Sequence, residues 1–172
     1  MFRDKHGDAG TARFQMRQKL FSIGDDYWIE DDRGERVFKV DGKALRMRKT
    51  LVFEDAAGTE LLKIQERRFR IRDTMEIEDR DGHTVATVKK ALISPFRDRW
   101  DVDVANGTSL EVKGHILDHE YEIEADGRQV AAVSKKWFRL SDTYGVEVVA
   151  GQDPLLILAV AAVLDATAPE PR

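Results

Sequence analysis

The residues in this chain best placed to do chemistry are cations. They gather in four stretches: Arg46, Arg48 and Lys49; Arg67, Arg68, Arg70 and Arg72; Lys89, Lys90, Arg97 and Arg99; and Lys135, Lys136 and Arg139. Two or three guanidinium groups brought together grip a phosphate through paired hydrogen bonds, while a lysine contributes a point charge. A rim of such side chains also suits an anionic membrane surface, at about 1 kcal/mol per near-surface charge. Arg70, Arg72, Lys90, Arg97 and Lys136 are the candidate ligand-binding residues. The chemistry they fit is an anionic phospholipid headgroup, a small phosphorylated molecule, or an acidic protein. The competing reading is a solvated rim, because Asp73, Asp98 and Asp142 share the same segments. Exposed pairs of that kind contribute only about 0–1 kcal/mol.

Other chemistries find little support. His115 and His119, with Asp118 between them, have the i,i+4 spacing of a metal site. That spacing brings two rings together only on a helix, and this pair flanks a short bend between strand-like segments. No metal site is assigned. Ser94, Ser109, Ser134 and Ser141 lack a G-x-S-x-G elbow, and no phosphate loop or dinucleotide fingerprint is present. We therefore assign no catalytic residue and no cofactor, and expect a non-enzymatic protein. The absence of cysteine removes disulfides, thiol catalysis and cysteine metal sites. Phe69, Phe96 and Phe138 interleave with the cations, an arrangement able to stack bases. Without a nucleic-acid-binding signature they read better as seals at the end of a barrel, and a net charge of −4 gives no global pull on nucleic acid. MFRDKHGDAG lacks an apolar signal core and no stretch is long enough to span a bilayer, so a cytoplasmic location is expected.

What must position the cations is a repeated hairpin. Units open at Gly34, Gly58, Gly82, Gly107 and Gly127 and the last closes at Gly151, in steps of 24, 24, 25, 20 and 24 residues. An incomplete unit precedes them. Each reads as strand, connector, strand and tight turn, and the Asp-Gly and Asn-Gly pairs at Gly82, Gly107 and Gly127 supply the positive backbone dihedrals that two-residue hairpin turns demand. The second strands alternate. Tyr27 and Ile29, Leu51 and Phe53, Met75 and Ile77, Trp100 and Val102, Tyr121 and Ile123, Tyr144 and Val146 fall on one face, and carboxylates such as Glu76 and Glu78 on the other, wet face. In the first strands Phe38, Leu62, Ala86 and Ala131 hold equivalent inward places. Leu110 and Val112 stand one place out of register, which suggests a shortened connector in that unit.

Six two-stranded units make about twelve antiparallel strands. A sheet this long twists, and closure removes its edges. A barrel of twelve strands is too wide to be filled by its own side chains. Leu155 to Leu164, ten uninterrupted apolar residues behind an Asp153 cap and Pro154, are the natural filling. An all-round apolar helix must be buried. The expected fold is all-β: about twelve strands around a hydrophobic C-terminal helix, spanning 13–166 between tails at 1–12 and 167–172. Leu155, Leu156, Leu158, Trp100 and Tyr144 are expected in its core. The competing arrangement, a two-layer sandwich with the helix as an outer flap, would expose a large apolar patch.

The run RFQMRQKLFSIGDDYWIEDDRGERVFKV, with the later blocks VKKALISPFRDRWDVDV, GHILDHEYEI and VSKKWFRLSDTYGVEV, resembles the LURP-one-related proteins over about Arg13 to Leu164. The resemblance implies kinship with tubby C-terminal domains and phospholipid scramblases, and so a twelve-stranded barrel around a C-terminal helix. It implies phosphoinositide or phospholipid partners for a non-enzymatic binding module. The proline-rich arm, cysteine cluster and separate membrane span of scramblases have no counterpart in this sequence. The alternative function is a structural or protein-interaction module that binds no lipid.

Overall fold

The computed structural model describes residues 10–18, 26–41, 50–66, 74–91, 98–137 and 142–167. They form twelve strands: β1 (Ala12–Arg17), β2 (Tyr27–Asp31), β3 (Arg36–Asp41), β4 (Thr50–Glu54), β5 (Glu60–Glu66), β6 (Thr74–Asp79), β7 (Thr84–Lys90), β8 (Asp98–Val104), β9 (Ser109–His115), β10 (Glu120–Ala125), β11 (Arg128–Ser134) and β12 (Thr143–Val148). Each strand pairs antiparallel with its neighbours in chain order. The first and last strands also pair, from Ala12 opposite Val148 to Arg17 opposite Thr143, so the sheet closes into a barrel without edges.

Helix α1 (Pro154–Thr167) fills that barrel. Asp153 caps it, its Oδ1 accepting from the Leu155 amide at 3.0 Å. Every residue from Ile157 to Asp165 is buried. The helix comes closest to β12 and β5, which stand on nearly opposite sides of the wall. Its 14 residues rise about 21 Å, long enough to run from one end of the barrel to the other. Inward side chains of every strand, among them Phe53, Ile77, Val102 and Tyr144, meet it in one core. The sandwich arrangement is excluded. Leu158, Trp100 and Tyr144 are core residues as expected, whereas Leu155 and Leu156 lie half-buried in the first turn, packed against the core from its entrance. Apart from residues 10–12 and Thr167, the segments read as tails lie outside the described residues.

The turns differ from expectation. Among the described residues only one hairpin uses a two-residue turn with both central residues left-handed: Asp126 at φ 50° and Gly127 at φ 73°, with Ala125 opposite Arg128. At Gly34, Gly58, Gly82 and Gly107 the glycine alone is left-handed. There the glycine amide donates to the carbonyl three residues back, and a three-residue loop closes one residue later, as from the Asp31 amide to the Glu35 carbonyl at 2.9 Å. Asp31, Asp55 and Asp79 explain the preference. In each, Oδ1 accepts two backbone amides, two and four residues on, all at 2.9 Å. The aspartate thus selects the loop from its start rather than from beside the glycine.

These loops lead into bulges. The register slips by one at Ile29/Glu30, Phe53/Glu54, Ile77/Glu78 and Ile123/Glu124, leaving Val37, Leu61, Val85 and Val130 as extra residues on the partner strands. The β8–β9 pair has no slip: Val102 faces Leu110 and Asp103 faces Ser109. That missing bulge is why Leu110 and Val112 fall one place early. The connector of the unit is short, but it lies at the other end of the strand and has no part in the offset. A second departure concerns Glu76 and Glu78. They sit on the outer face as the alternation requires, yet both are buried, and the Thr84 hydroxyl donates to Glu76 Oε2 at 3.3 Å.

Candidate functional site

The up-and-down topology sorts the connections to opposite ends. The glycine loops lie at one mouth, and the helix enters there. At the other mouth β1, β3, β5, β7, β9 and β11 end and the even-numbered strands begin, so all the longer connectors depart from and return to it. In sequence, the connectors 42–49 and 67–73 together hold eight cations against one carboxylate, in a chain whose net charge is −4. This connector mouth is the candidate functional site.

Several described cations are matched by carboxylates, whereas Arg36 on β3 lies 5.4 Å from the centre of the Trp28 ring, and at the connector mouth Arg17 reaches Asp142 at 3.4 Å. Arg13 reaches Glu147 at 2.8 Å, Lys39 reaches Asp26 at 3.0 Å, Lys89 reaches Asp103 at 2.9 Å, and Arg99 reaches Glu111 at 3.1 Å. Hydrogen bonds donated to carboxylates hold the Lys39 and Lys113 ammonium groups above the usual lysine range, chiefly those to Asp26 and to Glu124 respectively. Lys90 behaves differently. It shares the inward face of β7 with Val88 but stands exposed at the strand's end, its ammonium 5.9 Å from the centre of the Trp100 ring. Lys136 is exposed just beyond β11, where its amide donates to Ser134 Oγ at 3.1 Å. No carboxylate among the described residues lies within ion-pair distance of either ammonium group.

Of the five candidate residues, then, Lys90 and Lys136 reach the mouth, while Arg70, Arg72 and Arg97 lie outside the described residues. Lys90 and Lys136 do not converge. Four inter-strand spacings separate β7 from β11, about 19 Å of wall at ~4.8 Å each, too far for one phosphate to touch both. Phe69, Phe96 and Phe138, read as seals of this end, also lie outside the described residues. The inward seal that is described consists of tyrosines. Tyr27, Tyr121 and Tyr144 open β2, β10 and β12 and face the end of the helix. Burial, reinforced by the Glu30 charge, pushes the Tyr27 phenol up to about 12. Burial with the Asp165 charge raises Tyr121 and Tyr144 as well.

At the centre of this ring lies a feature that the residue types did not announce. His119 Nε2 and Asp165 Oδ1 are 2.8 Å apart, with side chains only 7% and 2% exposed. The imidazole ring stacks at 4.6 Å on Tyr144. His119 sits at φ 52°, in the left-handed region, and its amide donates to the Ile116 carbonyl at 3.1 Å. His115 is exposed, so the i,i+4 histidines do not share a site. His119 Nδ1 and the hydroxyls of Tyr121 and Tyr144 are buried with no protein hydrogen-bond partner among the described residues. One sequence signal pointed this way: Asp165 is a carboxylate in the last turns of an otherwise apolar helix, the end where a negative charge is disfavoured. Its partner lies 46 residues away, and nothing in the spacing named it.

A second group of ligating residues lies at the opposite mouth, where Asp79, Asp81 and His83 share one glycine loop. Their arrangement follows from the loop itself. Asp79 accepts the His83 and Asp81 amides, which hold its carboxyl below the usual range, the His83 amide most.

Together these observations define a class of domain: a closed twelve-stranded antiparallel barrel whose lumen is occupied by its own C-terminal helix. The chain belongs to the LURP-one-related family, whose family model matches residues 12–165. It is 30% identical over 151 residues to the Bacillus subtilis (strain 168) protein named "Uncharacterized protein YxjI", covering 87% of this chain and 90% of that one. Among solved structures it is similar to an Arabidopsis thaliana protein, with a TM-score of 0.67 and 20% identity, over 91% of this chain and 90% of the other. At that identity the likeness shows the fold. Among the described residues no helix is long and apolar enough to cross a membrane.

Proposed function

We propose that the protein is a non-enzymatic binding module of the cytoplasm whose connector mouth takes anionic groups, the headgroups of phospholipids or small phosphorylated molecules. The observation that carries this reading is the contrast between Lys90 and its neighbours on the wall. Lys89 and Arg99 are held by carboxylates, whereas Lys90 leans over the mouth on the Trp100 ring with none within ion-pair distance among the described residues. The arginine-rich segment holding Arg70 and Arg72 leads into Thr74, which pairs with Lys89. That segment therefore precedes, in sequence, the strand beside Lys90, and Lys136 would make a separate contact. A non-enzymatic role is supported by a lumen filled with helix and side chains, and by a His–Asp pair buried away from solvent. The lack of cysteine is compatible with a reducing compartment.

Co-sedimentation with neutral vesicles and with vesicles containing phosphorylated lipid, at low and physiological salt, tests the reading. Binding to the anionic vesicles alone is expected, falling with salt. It should weaken about five-fold for Lys90→Ala and further for Arg70→Ala/Arg72→Ala/Lys90→Ala, as about 1 kcal/mol per near-surface charge implies. Equal binding by wild type and the triple variant, or none by either, would leave the structural or protein-interaction role in its place.

A further inference from the structure

We infer that the His119–Asp165 pair is a clasp that sets the depth and rotation of the helix inside the barrel. The inference is independent of what the connector mouth binds. From Ile157 to Leu164 the helix is apolar on every side and buried on every side. Apolar contact alone gives such a helix little reason to prefer one rotation over another, because turning it exchanges Ala, Val and Leu for one another against an apolar wall. Asp165 breaks that degeneracy. Its carboxylate is buried inside the wall, and a buried carboxylate without a partner is strongly disfavoured. Sliding the helix by one turn shifts it about 5.4 Å and rotating it by one residue about 100°, and either movement takes Oδ1 out of reach of His119.

The partner is held as firmly. His119 ends the four-residue connector Ile116–His119 between β9 and β10. Ile116 is buried beneath it, the His119 amide is tied to the Ile116 carbonyl, and the ring rests on Tyr144 of β12. At the base of the connector Gly114 lies so close to β10 that a Cβ there would meet the Glu120 carbonyl oxygen at 2.6 Å. The left-handed backbone of His119 is a conformation in which glycine or asparagine would be more at ease. A histidine in that position makes sense if its side chain has a task. Asp165 likewise opposes the helix dipole, so its position has no local explanation. Each residue is locally disfavoured, and each is accounted for by the other. A buried polar pair that specifies register at some expense of stability is a recognised use of such contacts.

The test uses the full chain and compares helix amides by 1H–15N spectra and hydrogen exchange. Wild type should give one resonance for each amide from Ile157 to Leu164. His119→Phe/Asp165→Leu, with no buried charge left alone, should unfold at a midpoint above that of His119→Phe. It should nonetheless show second sets of helix resonances, or exchange about ten-fold faster at those amides. A single set of resonances with wild-type protection in the double variant would overturn the clasp. A second comparison needs only single substitutions, in case the double variant does not fold. His119→Gln keeps a side-chain donor for Asp165 and should retain one set, while His119→Leu should not. If both give one set and differ only in unfolding midpoint, the pair is a stabilising contact and sets no register.

Discussion

The two mouths of the barrel are built on opposite principles. At the glycine-loop mouth the same local device recurs: Asp31, Asp55 and Asp79 each fold their own loop through amides no more than four residues away. At the connector mouth the contacts that reach the helix are singular and distant. His119 meets Asp165 across 46 residues, and Tyr27, Tyr121 and Tyr144 close over the helix from three separate strands. A repeated local device is redundant, and losing one copy leaves the others intact. A singular contact has no substitute. The loop mouth therefore holds the sheet together, and the connector mouth decides how the helix sits within it.

The largest test removes what joins the two ends. A chain ending at Gln152 keeps all twelve strands and loses the helix. The core loses nine consecutive buried residues, from Ile157 to Asp165, and the inward faces of the strands are left around an unfilled lumen. We expect no cooperative thermal transition and aggregation on expression. Leu158→Asp should come close to that result, because a lone buried carboxylate costs several kcal/mol. Cooperative unfolding of the truncated chain would mean that the wall stands without its filling, and the contrast between the mouths would lose its basis.

The next test is alkaline and acts on the connector mouth. The phenol of Tyr27 is pushed up to about 12, and those of Tyr121 and Tyr144 are raised too, chiefly by burial. An unfolded tyrosine ionises near 10. Between those values the folded chain holds protons that the unfolded chain has released, so stability is fully present below about pH 10 and declines as pH rises towards 12. Denaturant midpoints measured from pH 8 to 12 should fall steeply in that window. Tyr144→Phe, which lacks the ionisable group, should flatten the fall. An unchanged slope in that variant would place the alkaline loss elsewhere.

A smaller effect belongs to the loop mouth. Asp31→Ala, Asp55→Ala and Asp79→Ala each remove one acceptor of two exposed amide hydrogen bonds and should cost about 1 kcal/mol apiece. Because the loops do not touch a common partner, the triple variant should lose the sum of the three. A loss well beyond that sum would mean that the loops cooperate.

These differences explain what could be read from the sequence. Strand number, closure and the central helix rest on glycine spacing, alternation at period two and one apolar run, all of which are local signals. The loop type is not legible from the residue beside the glycine, because the aspartate three residues before it governs Gly34, Gly58 and Gly82. The offset at Leu110 was a missing bulge, and a bulge leaves no mark in composition. At the site, the cations of the connectors were legible as residue types, and the place of Lys90 over Trp100 follows from strand pairing. The bond between His119 and Asp165 was not legible. The sequence shows that Asp165 needs a partner, and only the closed wall brings His119 to it.

The smallest expected effect separates the mouths by pH from the acid side. The Asp79 carboxyl lies below the usual range because the His83 and Asp81 amides, and the His83 ring at 3.3 Å, favour its charged form. A lowered value means that the folded chain releases this proton more readily than the unfolded chain does. The contribution is therefore present above the ordinary aspartate value of about 3.9 and is lost as pH falls through the folded value. Asp79→Asn keeps an oxygen that can accept the same two amides but cannot titrate. Wild type should be the more stable of the two at pH 7, and their difference should shrink below pH 4 as the carboxylate takes up its proton. The side chain is exposed, so the change is small and is best measured as a difference between paired denaturant curves. A difference that stayed constant from pH 7 to 2 would show that the loop relies on the shape of the acceptor rather than its charge. The two mouths would then differ in reach but not in their response to acid.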